Sequence, residues 1–401
     1  MSDGTLITCG LVCSGVASRK AWRSYLDSLK RHFGNISDYH HRPKTDDPNN
    51  GNAHNEIVVL ADGSIKQGTL LMKSWKRTYG GHWGLRPTCH QCPYHSINRI
   101  EDITIGDYWG LDNFSSFWNP RGTSLVIFNN KKPTTEWLKK QIFNKSSFEE
   151  LPINSAKNSS QPRLSSSSAP NSVRASFLGF GSNSSWESVI AACVIRSAVN
   201  KVFRFKSKTA LESVQNKPVC NSKQLSNRLI DCKQDCYGCG ACMQLCPRNA
   251  ITMVEDSEGF LYPEINEDRC IGCGLCNRVC PRSNLSSADL SKGDNSYALR
   301  LNDSYHYSKS SSGGAFWGLA QSVLDIGGVV YGTAFSKDLI PEVIRCDSEA
   351  TCERCMGSKY VQSDTGLTFK LVKEDLAAGK TVLFTGTPCQ IAGLNAYLRK
   401  P

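Results

Sequence analysis

Eight cysteines fall in two runs of the same spacing. Cys236, Cys239, Cys242 and Cys246 lead into Pro247, and Cys270, Cys273, Cys276 and Cys280 lead into Pro281. Thiolates at C-x2-C-x2-C-x3-C-P spacing, repeated once, hold two 4Fe-4S clusters, the fourth cysteine of each run ligating the other cluster. The spacing therefore assigns Cys236, Cys239, Cys242 and Cys280 to one cluster, and Cys270, Cys273, Cys276 and Cys246 to the second. Two intervening residues let a tight loop present successive thiolates to one face of a cubane. Gly238, Gly240, Gly272 and Gly274 let the backbone wrap closely, and the prolines end each loop. Structural zinc is the other chemistry open to clustered cysteines, but zinc sites rarely repeat this pattern. Cys232 stands outside the pattern and reads as incidental.

Further groups could do chemistry. Cys89-x2-Cys92, with His82, His90 and His95 nearby, reads as a zinc knuckle or as an inert pair. Cys352-x2-Cys355 with Cys346 could bind metal or act as a dithiol; inert thiols are the favoured reading. SSSGGAFWG, from Ser310, reads as a Ser/Gly turn opening a helix, either a flexible turn or a phosphate cradle of hydroxyls and N–H groups at Ser311, Ser312, Gly313 and Gly314. In GSKYVQS, Lys359 offers a cation for a phosphate or an anionic ring, and Tyr360 a stacking or hydrogen-bonding group. Neither a Walker A sequence nor a well-placed GxGxxG occurs, so ATP use and a standard dinucleotide fingerprint have no support. The Trp/Tyr-rich stretch 107–118 reads as core, and no residue is assigned as catalytic.

These groups must be positioned by a chain of 401 residues, enough for two or three domains. Its 19 cysteines are too many for chance and odd in number, which fits metal binding in a reducing compartment better than closed disulfides. No apolar run reaches the roughly 18–20 residues of a membrane span. The apolar stretch 6–18 follows Asp3 without a Lys or Arg, unlike a signal peptide, and is expected to be a buried strand and turn. The expected location is cytoplasmic. The net charge is +11, yet no Lys/Arg stripe interleaved with aromatics points to nucleic acid.

Along the chain, 56–66 reads as strand with an Asp-Gly turn, and 21–33 as an amphipathic helix burying Trp22, Tyr25, Leu26, Leu29 and Phe33. Residues 154–230 read as a Ser-rich linker carrying a helix at about 185–205. Residues 231–281 hold four basic and eight acidic side chains, an acidic module in a basic chain. From 296 onward, apolar runs alternate with Gly-rich turns, which argues for an α/β domain with a largely parallel sheet.

SSSGGAFWGLA (310–320), GSKYVQSDTG (357–366) and TGTPCQIAGL (385–394), with the two-cluster ferredoxin runs ahead of them, resemble the coenzyme F420 hydrogenase/dehydrogenase beta-subunit family. That family includes 7-hydroxymethyl chlorophyll a reductases and formate dehydrogenase beta subunits. LITCGLVCSGVAS (6–18), LRPTCHQCPY (85–94) and DITIGDYWG (102–110) resemble its C-terminal domain. The resemblance covers most of 1–150 and 232–401. It implies an α/β flavoprotein domain plus a small α+β two-cluster ferredoxin domain. It also implies FAD held at Ser311, Ser312, Gly313, Gly314, Lys359 and Tyr360, and iron-sulfur ligation by Cys89 and Cys92. The implied activity is oxidoreduction between 4Fe-4S clusters, FAD and a deazaflavin such as coenzyme F420 or another small-molecule acceptor. The alternative is a non-catalytic electron-transfer subunit that serves a redox partner protein, and an oligomer is compatible with either.

Two departures stand out. Ser14 replaces the histidine that usually follows the cysteine matching Cys13. The order is also inverted: here the ferredoxin and TGTPCQ regions follow the LVC and DITIGDYWG regions, whereas in the family they precede them. The domains then read as 1–153, a C-terminal-type half; 154–230, the linker; 231–283, the ferredoxin domain; and 296–401, the N-terminal-type half. Either a circular permutation or a split of tandem gene copies produces this order. If the halves close into one domain, Cys389 meets Cys13, Cys89 and Cys92 as a four-thiolate site for a third 4Fe-4S cluster, and Met1 and Pro401 lie close together.

Overall fold

The computed structural model describes residues 4–44, 56–159, 161–180, 184–204, 235–283 and 290–398. Met1, Pro401 and Cys232 lie outside them. The described strands are β1 (Thr5–Leu11), β2 (Ile36–His41), β3 (Glu56–Leu60), β4 (Ile65–Gln67), β5 (Ile103–Asp107), β6 (Ser124–Phe128) and β7 (Ser146–Pro152). They continue with β8 (Ile251–Glu255), β9 (Leu261–Ile265), β10 (Asn295–Leu301), β11 (Val329–Phe335), β12 (Pro341–Cys346) and β13 (Thr381–Gly386).

Eight of them form one sheet in the order β12-β11-β13-β1-β5-β6-β10-β7. Strands from the two ends of the sequence interleave in it. β1 runs parallel to β13, with Thr5 opposite Thr381 and Gly10 opposite Gly386, and parallel to β5 on its other side. β10 lies antiparallel between β6 and β7. Each half supplies ladder partners that the other lacks, so neither makes the sheet alone. The sheet is mixed rather than largely parallel: β11, β13, β1 and β5 run parallel, and antiparallel pairs flank them.

Both faces are covered, as near-continuous apolar strands require. On β13, Leu383 faces one core with Leu138, Ile142, Trp317 and Val323 from helices Pro133–Asn144 and Ala315–Leu324. Its neighbours Val382 and Phe384 face the other, against Phe369, Val372, Ile391 and Leu394 from helices Thr368–Ala377 and Pro388–Leu398. That alternation is the two-residue period of a strand.

The expected amphipathic helix is Arg19–Phe33. Ser18 caps it by accepting the Ala21 N–H, and Trp22, Tyr25, Leu26 and Leu29 are buried. The 56–66 stretch is a hairpin, β3 and β4, which joins β2 in a three-stranded sheet.

The Ser-rich segment corrects its reading as linker. Leu164, Val173, Phe177 and Leu178 are buried, and helix Trp186–Arg204 sets Trp186 into the core, its Nε1 donating to Ser74 Oγ at 2.7 Å. Composition hides this, because a few apolar side chains at the right spacing suffice to anchor a polar stretch. Residues 205–230 of the expected linker lie outside the described residues.

The acidic module docks on basic side chains. Arg23 and Arg19 pair with Glu255, and Arg174 makes a two-pronged contact with Glu258. No described helix is long and apolar enough to cross a membrane.

Candidate functional site

In the module 235–283, Gly238, Gly240, Gly272 and Gly274 all take positive φ, between 66° and 75°, as the cysteine spacing requires. Cys239 is buried, whereas Cys270 and Cys273 are exposed. Burial raises the Cys239 thiol pKa, and the neighbouring sulfurs of Cys242, Cys280 and Cys236 raise it further. Cys276 is raised by burial and then by Cys273 and Cys270. The first three cysteines thus gather with the last, and Cys270, Cys273 and Cys276 with one another. Backbone N–H groups point at the sulfurs: Gly238 at Cys236 and Ala250 at Cys246, both at 3.3 Å. Donors of this kind stabilise thiolates on iron.

A second set of four sulfurs comes from both halves of the sheet. Cys13 follows β1, Cys89 lies in the 3-10 turn Pro87–Gln91 with Cys92 just after it, and Cys389 opens helix Pro388–Leu398. Burial pushes the Cys13 thiol up to about 12, and Cys89 and Cys389 add to the rise. Burial pushes Cys89 up to about 11, and Cys389 adds to it. Cys92 is raised by burial and by all three partners. Gly15 N–H donates to Cys13 Sγ at 3.3 Å, and Thr387 Oγ1 lies 3.2 Å from Cys389 Sγ.

His90 and His95 lie beside the Cys89–Cys92 pair in sequence, and each keeps one ring nitrogen without a hydrogen-bond partner. His90 Nδ1 lies 2.8 Å from the Ser168 carbonyl and His95 Nε2 lies 2.6 Å from that of Cys13.

The two cysteine sets are joined by packing. Gly393 lies against Cys239, and Tyr94, Tyr237 and Ala392 cluster with Cys92 and Cys389. Arg86 is 1% exposed; its Nε donates to the Cys236 carbonyl at 2.8 Å, and its guanidinium lies 4.1 Å from the Tyr262 ring centroid.

Beside Cys13 opens a cleft of about 280 Å³. Cys13, Ser14, Asp107, Ser311, Lys359 and Tyr360 are among its walls. The loop Ser310–Gly314 and the start of helix Ala315–Leu324 form one side, with Gly314 at φ +90°. Ser311 Oγ accepts the Ser358 N–H at 3.0 Å, and Ser312 Oγ donates to the Thr123 carbonyl at 3.1 Å. Gly313 is set back from the cleft: a Cβ there would lie 2.0 Å from the Leu299 carbonyl oxygen. Lys359 Nζ donates to the Arg354 and Met356 carbonyls, and burial brings its pKa down to about 8. Tyr360 stacks on Tyr79 at 4.3 Å and accepts from Arg42, which forms a two-pronged pair with Asp107 at 2.6 and 3.1 Å.

Residues 235–284 match the 4Fe-4S dicluster domain. Residues 1–152 match the C terminus of the coenzyme F420 hydrogenase/dehydrogenase beta subunit. No curated protein matches the chain. The two matches together support an iron-sulfur electron-transfer oxidoreductase, with the beta-subunit-like region carrying β1 through β7 of the architecture.

Sequence reasoning missed Arg42 and Arg86. Arg42 carries no motif; it follows β2 and reaches Asp107 at the end of β5 only in the folded chain. Arg86 sits one residue ahead of Pro87 in LRPTCHQCPY, and a cation that close to a cysteine pair was the available signal.

Proposed function

We propose that the protein is an iron-sulfur flavoprotein oxidoreductase in which the two ferredoxin clusters, a third 4Fe-4S cluster on Cys13, Cys89, Cys92 and Cys389, and FAD in the cleft act in series. The observation that carries this reading is the place of Cys13. It belongs to the four-sulfur set and also lines the cleft. Helix Pro388–Leu398 supplies the other link, with Cys389 at its start and Gly393 against Cys239 one turn later.

Bound FAD would supply conversion between single electrons and hydride-equivalent pairs. The chain's share is to hold and orient it. The N-terminus of helix Ala315–Leu324 and the Ser311 hydroxyl present polar groups suited to a pyrophosphate. Arg42 and Lys359 supply positive charge at the cleft, and Tyr360 an aromatic face held by Tyr79. At the clusters, burial penalises free thiolates, and coordination reverses that penalty by deprotonating the thiols outright.

The interleaved sheet supports a circular permutation of the family's order, since β1 pairs with β13 where the family's chain would run directly from one half into the other. The proposed domains are the two halves, 1–153 and 296–401, joined as one body, and the ferredoxin domain 231–283. The proposed acceptor is a deazaflavin or another small molecule that takes a hydride equivalent.

Anaerobically purified protein, assayed alone with reduced ferredoxin and F420, tests the reading. Retained FAD with turnover by the single chain is expected. Absence of flavin, or turnover only when a second polypeptide is added, points instead to an electron-relay subunit.

A further inference from the structure

Three cysteines outside both iron-sulfur sets meet at the cleft wall. Cys346 ends β12, Cys352 lies in helix Glu349–Glu353, and Cys355 follows it. Cys346 and Cys355 are in contact, with Sγ atoms 3.7 Å apart. Cys346 and Cys352 are fully buried, whereas Cys355 is 8% exposed and lines the cleft. Room for it is built into the neighbouring strand: a Cβ at Gly332 would lie 2.9 Å from both Cβ and Sγ of Cys355.

We propose that Cys355 and Cys346 form a thiol–disulfide exchange site that takes a small uncharged disulfide entering through the cleft. Only Cys355 can be reached, so it is the attacking thiol. Its sulfur bonds to one sulfur of the incoming R–S–S–R, whose S–S bond breaks, and the leaving thiolate takes up the Cys355 proton as RSH. Cys346 then attacks the mixed disulfide at Cys355 and closes the protein disulfide, and its own proton goes to the second RSH. Two protein thiols are oxidised and one external disulfide is reduced, so atoms and electrons balance without any cofactor. Both groups stay in the thiol form at neutral pH: the hydrogen bond to Cys352 and burial raise Cys346, the hydrogen bond to Cys346 and burial raise Cys355, and the positive charge of Lys359 opposes the rise at Cys355. Since the thiolate is the nucleophile, exchange accelerates by about tenfold per pH unit while the thiolate remains the minor form.

The sequence makes the product easy to read. Trypsin cuts after Arg345, Arg354 and Lys359, so Cys346 and Cys352 leave on one peptide, 346–354, and Cys355 on another, 355–359. The cluster-loaded chain, stripped of flavin so that the cleft is open, is incubated anaerobically with bis(2-hydroxyethyl) disulfide, quenched with iodoacetamide, digested and mapped by mass spectrometry. The expected result is peptides 346–354 and 355–359 joined through Cys346 and Cys355, with Cys352 alkylated. In Cys346→Ser, the expected result is a mercaptoethanol adduct trapped on peptide 355–359. Both peptides unreacted or merely alkylated in the wild-type chain, or an adduct on Cys346 or Cys352 ahead of Cys355, would overturn the inference. The wild-type map decides even if the variant fails to fold.

Discussion

Gly393 and Cys239 lie so close that a Cβ on the glycine would sit 2.8 Å from the Cys239 sulfur and 3.0 Å from its Cβ. This contact seats the ferredoxin module on helix Pro388–Leu398, the helix that begins with Pro388 and Cys389. Gly393→Ala forces one of two packed backbones to move. Overpacking of this kind costs about 1–3 kcal/mol. The expected outcome is a lower unfolding midpoint and slower electron transfer from the ferredoxin clusters to the rest of the chain, read by stopped-flow bleaching. An unchanged rate would show that the contact does not set the route.

Arg86 places a buried positive charge between the two cysteine sets. It lowers the thiol pKa at Cys236, Cys89 and Cys389 alike. A cluster's potential follows the net charge around it. Arg86→Gln is therefore expected to shift the potentials of the first ferredoxin cluster and of the proposed third cluster to more negative values. Redox titration followed by electron paramagnetic resonance measures this. Potentials that stay in place would mean the guanidinium is a purely structural prop for the Cys236 carbonyl.

Much of the iron-sulfur module is legible in the sequence because cysteine ligation is a local problem. Two residues between thiols, glycines at the turns and a terminal proline are all written within about ten residues, and the glycines at 238, 240, 272 and 274 take the expected positive φ. The helix 21–33 is legible for the same reason, since its apolar face repeats at helical spacing. The cleft is less so. Arg42, Asp107, Ser311 and Tyr360 come from four distant stretches and meet only in the folded chain: Asp107 ends β5 of the large sheet, Ser311 lies beyond β10, and Arg42 follows β2 of the small sheet. From its place in SSSGG, Gly313 reads as part of a phosphate cradle. Its observed role is to let the loop pass against the Leu299 carbonyl. The anchoring of the Ser-rich segment is illegible because Val173 and Phe177 find partners more than eighty residues upstream, as with Phe177 and Trp83.

Behind the cleft, Glu56 is buried, and Tyr25 Oη donates to its Oε2 at 3.4 Å while His41 Nδ1 lies 3.5 Å from Oε1. Burial raises the Glu56 carboxyl from 4.5 to about 8 and lowers His41 to about 3, so both are neutral at pH 7. An acid raised in the folded state stabilises while it stays protonated, and that contribution is lost as pH climbs toward 8. Above about pH 7 His41 is mostly neutral in both states. Lys44, Lys76 and Lys359, lowered by burial to about 6, 8 and 8, make stability rise with pH there, so the Glu56 contribution is read as the difference between wild type and Glu56→Gln. Between about pH 7 and pH 8 the wild type should lose stability relative to Glu56→Gln. Urea midpoints at the two pH values measure it, and an equal change in both proteins would contradict the assignment.

Arg42 grips Asp107 with two nitrogens and reaches Tyr360 with one of them. Lysine keeps the charge but not the planar fork. Arg42→Lys is expected to release Tyr360 from its hydrogen bond and weaken FAD retention by about tenfold, equivalent to about 1.4 kcal/mol. Fluorescence titration of the flavin-stripped protein gives the affinity. Wild-type affinity in the variant would remove Arg42 from the binding wall.

In the proposed enzyme, the two sequence-distant halves close around one iron-sulfur site. Iron and acid-labile sulfide per chain, measured on anaerobically purified wild-type and Cys389→Ser proteins, test it most directly. At four irons per cubane, about twelve irons are expected in the wild type and about eight in the variant, with the ferredoxin signals intact. About eight irons in both proteins would contradict it.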